Sequence, residues 1–280
     1  MTIICSKSTK EKISMVKRKR RSGIEKELYL RALQNHFITV AEARKIAGKE
    51  STTRMALWRL NKKGNLVRVK GGLYAAIPLQ FKDSNYEVNR YILFDRLMKS
   101  NGALAFHSAL ELHGVAQSSF NTVYYLSPVE KMPFAFQDIT FKPVTASNIF
   151  GTTTITVDDL RVRATDKERT FLDCIRRPGL CGGLEEFLKS AEGFTMMSPV
   201  KLMDYLERFD EQSLYQRTGF VLTYLGSRIK TSDDLLNALR GRVSKNVYYL
   251  TPYRKGQKAR LNKEWNVRVP VNLEEVARFV

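Results

Sequence analysis

A chain of 280 residues with 43% hydrophobic and 10% aromatic side chains can build real cores, which excludes a disordered or low-complexity protein. A net charge of +19 points to an anionic partner, and no apolar run has the length of a membrane span or the layout of a secretory leader. Three cysteines suit a reducing compartment better than a disulfide scaffold, so a soluble cytoplasmic protein that needs no membrane is expected.

The charge is concentrated at one end. Residues 1–72 hold 19 Lys or Arg against 5 Asp or Glu, and residues 73–280 hold 28 against 23. Residues 1–21 end in the block KRKRR, which cannot bury itself and is expected to be a mobile solvated tail, with a DNA-contacting arm as the alternative. A compact unit begins near Gly23. IEKELYLRALQNHF places Leu30, Leu33 and Phe37 at helical spacing. Thr39 can cap a second helix stopped by Gly48, and Ser51 can cap a third that ends at Gly64. LVRVKGGLYAAI then alternates, with Gly71-Gly72 suited to a two-residue hairpin turn. Three helices followed by a hairpin is the order of a winged helix-turn-helix, here predicted over 22–79.

Pro78 to Asn85 reads as a linker, and residues 80–280 as a second, larger domain. YEVNRYILFDRLMKS, apolar nearly all round, predicts a buried helix over 86–99. A turn at Asn101-Gly102 precedes a short helix in AFHSALELHG. NTVYYLSP, QDITFKPVTA and the hairpin TTTITVDDLRVRAT read as strands. From Asp166 to about Arg240 the pattern is helical, broken at Pro178–Gly183, Gly193–Pro199 and Gly226–Lys230. Strands return in NVYYLTP and EWNVRVP, and both VYYL runs read as buried strands stopped by proline. The predicted class is α+β: an N-terminal winged helix-turn-helix followed by a larger mixed α/β C-terminal domain.

On a helical wheel of the third helix, Thr53, Leu57 and Leu60 form a narrow apolar stripe. Met55, Arg59 and Lys62 lie opposite, with Thr52 and Lys63 on one flank and Trp58 on the other. Cations there would meet phosphates, and Arg59 could reach a guanine edge in a major groove. In the hairpin, Val67 and Val69 point one way while Arg68 and Lys70 point the other, as a wing along the DNA backbone would require. Element order, wheel and regional charge agree on duplex DNA as a partner, contacted by Thr52, Met55, Arg59, Lys62, Lys63, Arg68 and Lys70.

Motifs for chemistry are poor. TDKERTFLDC groups Asp166, Glu168, Arg169 and Asp173, but Thr165 or Asp166 can cap the helix that follows. Asp166 with Arg169, or Arg169 with Asp173, can pair along it. A metal-dependent nuclease would want a second acidic cluster or a nearby histidine. His36, His107 and His113, with Cys174 and Cys181, lack zinc spacing and read as satisfied core histidines and buried thiols. GLCGG has neither phosphate-loop spacing nor a dinucleotide fingerprint. No enzyme activity, cofactor or metal is expected. YRKGQKAR at 253–260 is a basic loop, solvated by default, with a second nucleic-acid contact, to RNA, as the alternative.

LNKKGNLVRVKGGLY followed by ALAFHSALELHGV, and downstream VRATDKERTFLDCIRRPGLCGG and NVYYLTP…LNKEWNVRVP, resemble the AbiEi-type antitoxins of abortive-infection toxin–antitoxin systems. The resemblance runs from about Gly23 onward. It implies an N-terminal winged helix that represses its own operon by binding the operator, and a C-terminal domain that counters a cognate nucleotidyltransferase toxin. Because TDKERT belongs to the family's pattern, Asp166 and Arg169 are the candidates it suggests for an antitoxin surface. The competing expectations are a stand-alone winged-helix regulator whose second domain senses a ligand and, ranked behind it, a nucleic-acid-processing enzyme delivered by the winged helix.

Overall fold

The computed structural model describes residues 22–273, apart from 83, 85, 99, 100, 254 and 257; the KRKRR block lies outside the described residues. The chain is mixed α+β and divides into two compact units, Met1–Asn89 and Arg90–Val280.

In the first unit, residues 22–34 form helix α1. Strand β1 (Phe37–Thr39) leads into α2 (Val40–Ala47), α3 (Glu50–Lys62), β2 (Leu66–Arg68) and β3 (Leu73–Ala76). The three strands pair antiparallel in the order β1-β3-β2. Leu28, Tyr29 and Ala32 form the buried face of α1, against Ala56, Leu57 and Leu60 of α3 in one apolar cluster. The helical reading of Leu30, Leu33 and Phe37 is corrected on two counts. Leu30 is 48% exposed, and Phe37 opens a strand after His36 turns the chain at φ +59°.

Thr39 caps α2 as expected: its hydroxyl oxygen accepts from the Glu42 amide at 3.2 Å, and the Glu42 carboxylate accepts from the Thr39 amide at 2.7 Å. Gly48 ends that helix at φ +79°. Ser51 is not the cap of α3, which starts at Glu50 after Lys49, two residues earlier than a Ser51 cap would give, and has no side-chain cap. The turn forms at the glycine pair as read, but the register sets Val69 opposite Leu73, so three residues, Lys70 to Gly72, separate the paired strands. Gly71 and Gly72 both have positive φ (+57° and +78°), and the Leu73 amide donates to the Lys70 carbonyl at 3.0 Å. Two consecutive left-handed residues reverse the chain at the tip, and only glycine adopts them without cost.

The second unit begins with α4 (Arg90–Met98), shorter than the helix predicted over 86–99. The two compact units meet at Asn89 and Arg90. Phe81 and Tyr86, with ring centroids 5.3 Å apart, pack against each other within the intervening segment. Six strands make one mixed sheet: β4 (Ala103–Leu104), β5 (Thr122–Ser127), β6 (Phe134–Phe136), β7 (Ile139–Thr145), β8 (Thr152–Val157) and β9 (Leu160–Thr165). Their order is β6-β7-β5-β4-β9-β8, with β5/β7 and β4/β9 parallel. The β8–β9 hairpin turns on Asp158-Asp159, both at positive φ, a conformation short acidic side chains tolerate.

Helix α5 (His107–Leu112) lies between β4 and β5. After β9 come α6 (Lys167–Arg176), α7 (Leu184–Ala191), α8 (Pro199–Phe209), α9 (Gln212–Leu225) and α10 (Asp233–Arg240). A break that the pattern did not signal is Asp210, left-handed at φ +50°, which separates α8 from α9. A second sheet, β10 (Tyr248–Tyr249), β11 (Ala259–Asn262) and β12 (Val267–Pro270), has the order β10-β12-β11. The second VYYL run is only partly buried, so its reading as a buried strand is corrected. The basic loop at 253–260 runs into β11. Among the described residues, no helix is long and apolar enough to cross a membrane.

Candidate functional site

Helix α3 meets its neighbours with the stripe the wheel identified. Thr53, Leu57 and Leu60 are buried, joined by Ala56. Met55 and Lys62 face solvent, Thr52 is half-buried, and Arg68 and Lys70 stand exposed on the hairpin. Trp58, placed on a flank of the wheel, is 54% exposed, with the Lys62 ammonium 5.2 Å from its ring.

Arg59 is half-buried. It leans on Glu25 of α1 at 3.4 Å, and Lys63 meets the other oxygen of that carboxylate at 2.6 Å. Burying Glu25 against the helix pair demands cationic partners, so two of the seven candidate contacts are drawn into a structural ion cluster. The sequence reading missed Glu25, which lies 34 residues from Arg59 with no local pattern to link them. A small cleft of about 180 Å³ lies beside this cluster, lined by Thr52, Met55 and Arg59 among others. The exposed cations of α3 and the hairpin include Lys62, Arg68 and Lys70.

The Asp166–Arg169 pair is placed differently from the reading. Asp166 is 8% exposed and Arg169 2%, so neither forms a surface. Asp166 caps α6: one carboxylate oxygen accepts from the Arg169 amide at 2.9 Å. The other accepts from the Tyr205 hydroxyl at 2.8 Å and from Lys201 Nζ at 3.2 Å. Burial and the hydrogen bond to Asp166 raise the Tyr205 phenol above its ordinary range. The Arg169 guanidinium lies between the rings of Phe150 and Phe209, 4.1 and 4.3 Å from their centroids, and its Nε is 3.0 Å from Asp173 Oδ1. Of the two pairings the spacing allowed, the i,i+4 pair with Asp173 is the ion pair. The helix–helix cluster holds α6 to α8, and its exposed member is Lys201.

Asp173 is fully enclosed, and burial pushes its carboxyl up to about 6 although Arg169 pulls it down. Neither carboxylate oxygen meets an aligned donor among the described residues. A raised folded-state value means that this group's stabilising contribution is complete below about pH 4 and is lost as pH rises through about 6. Asp173→Asn is therefore expected to match the parent below about pH 4 and to gain on it as pH rises through about 6. Urea midpoints at three pH values check this; a gap that stays constant with pH would refute it.

The histidines are not alike. His113 Nε2 lies 2.8 Å from the Thr165 carbonyl, a satisfied core contact. His107 is fully buried, with its nitrogens 3.6 and 3.5 Å from Glu111 and Glu186 and no aligned hydrogen bond among the described residues, so the satisfied reading is corrected there. Burial lowers its pKa. Cys174 and Cys181 are buried free thiols, both raised by desolvation. A polar cavity of about 660 Å³ lies nearby, lined by Gln117, Ser118, Glu185 and Glu186 among others.

No family model matches the chain, and no curated protein matches it. Among solved structures, the crystal structure of the RV2827C protein from Mycobacterium tuberculosis is similar, with a TM-score of 0.64 over 89% of this chain and 89% of that one. At 15% sequence identity, the likeness is one of fold.

Proposed function

We propose that the chain is a DNA-binding autorepressor and antitoxin of the AbiEi type, its first unit acting as a winged helix-turn-helix. The observation that carries the DNA-binding part is the juxtaposition in the first unit. Helix α3 runs directly into a glycine-turned hairpin, and both expose cations: Lys62 on the helix, Arg68 and Lys70 on the wing. A helix in the major groove and a wing along the backbone would place all three near phosphates. Met55, Trp58 and the half-buried Thr52 supply the apolar and hydroxyl contacts beside them. The antitoxin part rests on the motifs quoted from the second unit. Because Asp166 and Arg169 are enclosed, the contact with a nucleotidyltransferase toxin belongs to other residues of that unit.

The test is titration of operator DNA at several salt concentrations. Lys62→Ala with Arg68→Ala and Lys70→Ala should lower the salt slope by about 0.9 for each phosphate deprived of its cation. Thermal unfolding should be nearly unchanged, since surface substitutions usually cost less than about 0.5 kcal/mol. A folded triple variant with the parent's slope would remove the assignment. Co-expression with a neighbouring nucleotidyltransferase gene tests the second half; growth arrest that the chain does not relieve would refute it. A regulator that senses a ligand in the 660 Å³ cavity is the second reading. It predicts repression without any toxin.

A further inference from the structure

The basic character of the second unit is confined to one segment. Residues 242–273 contain eight Lys or Arg and a single acidic residue, Glu264, whereas residues 90–241 contain 18 Lys or Arg against 18 Asp or Glu. That segment builds the small sheet β10-β12-β11. Val267 and Val269 turn inward to the core of the unit, with Trp265 beside them. The register decides what faces outward. Arg268 of β12 is paired with Tyr249 on one side and with Leu261 on the other, so the three side chains form a row across one face. Arg268 and Leu261 are exposed, and the guanidinium lies 5.9 Å from the Tyr249 ring. Tyr253, 55% exposed, extends the row, its ring centroid 5.2 Å from that of Tyr249. Lys258 and Lys263, both exposed, bound the edge strand β11 at either end.

An outward row of two tyrosines, an arginine and a leucine is a poor surface for water and a good one for flat rings. Lysines at the two ends of the edge strand supply positive charge. Base–aromatic stacking combined with a cationic track is the chemistry by which proteins hold unpaired nucleotides, whereas stacked duplex bases offer no free ring face. We infer that this sheet face is a binding site for single-stranded nucleic acid, separate from the duplex contacts proposed for the first unit. Tyr253 and Tyr249 stack bases, Arg268 fixes the Tyr249 ring and meets a phosphate or base plane, and Lys258 and Lys263 follow the backbone.

The experiment uses the full chain carrying the triple alanine change at Lys62, Arg68 and Lys70, so that the first unit's cations do not dominate. Fluorescence anisotropy is measured with labelled oligouridine, oligothymidine and a duplex of equal length. Tyr253→Ala should weaken single-strand binding by about 5- to 150-fold, the range for one stacked base, while Tyr253→Phe keeps it. Lys258→Ala with Lys263→Ala should lower the single-strand salt slope by about 0.7 for each phosphate deprived of its lysine. Preference for oligouridine or for oligothymidine supports the site and assigns it to RNA or to DNA. The inference is overturned if Tyr253→Ala binds like its parent, or if single-strand and duplex binding fall together, which would leave only a charge effect. Either result leaves the salt-slope test of the first unit standing on its own.

Discussion

Arg169→Ala is expected to destabilise the second unit by about 3–5 kcal/mol, the usual cost of removing one partner of a buried ion pair. Three losses coincide. The guanidinium between Phe150 and Phe209 disappears, Asp173 loses the cation 3.0 Å from it, and a gap opens between the two rings. At about 2–4 °C per kcal/mol for a unit of this size, the melting temperature should fall by about 6–20 °C. The cost should shrink below about pH 6, where Asp173 takes up its proton and no longer needs the cation. Calorimetry at pH 5 and pH 7.5 measures both effects. In a co-expression assay, loss of protection by this variant should follow its loss of folded protein. A fully stable Arg169→Ala protein that fails to protect would make Arg169 a toxin-facing residue after all and contradict its burial.

Gly219→Ala should cost about 3 kcal/mol, the upper end for an overpacked core. In an exposed helix the same change would add about 1 kcal/mol of stability. The sign reverses because a Cβ at Gly219 would lie 2.1 Å from the Trp265 ring. That indole cannot give way: it is fully buried, and its Nε1 donates to the Thr223 hydroxyl at 3.1 Å. A smaller ring should relieve the clash, so Gly219→Ala combined with Trp265→Phe is expected to be less destabilising than the two changes added separately, by more than about 1 kcal/mol. Urea unfolding followed by circular dichroism gives the four stabilities. Simple additivity would mean that the helix and the indole do not touch as described.

Short-range chemistry was legible in the residues themselves. The capping box at Thr39 and Glu42, the glycine pair at 71–72, the Asp-Asp turn of β8–β9 and the apolar stripe Thr53–Leu57–Leu60 each need only neighbours within about four positions. The mixed α+β class followed from the same local periodicities, as did the helical character of the stretch from Asp166 to Arg240. Two short strands, β4 and β6, were not legible. β4 and β6 are too short to show alternation, and they exist because longer neighbours, β5 and β7, offer them hydrogen-bonding edges.

Roles that depend on a distant partner were decided only by the tertiary structure. Arg59 and Lys63 look like two more exposed cations on a helix until Glu25 of another helix is placed beside them. Asp166 and Arg169 look like solvent-facing charges in a polar run. Helix α8 then arrives with Tyr205, Lys201 and Phe209 and encloses them. Conversely, the row Tyr249–Arg268–Leu261 joins residues of three strands through register alone. Charge and periodicity are properties of the chain and can be read along it. Whether a charge meets water, a counterion or an aromatic face depends on which segments are folded against it, because burial changes the energy of an ion far more than its neighbours in sequence do.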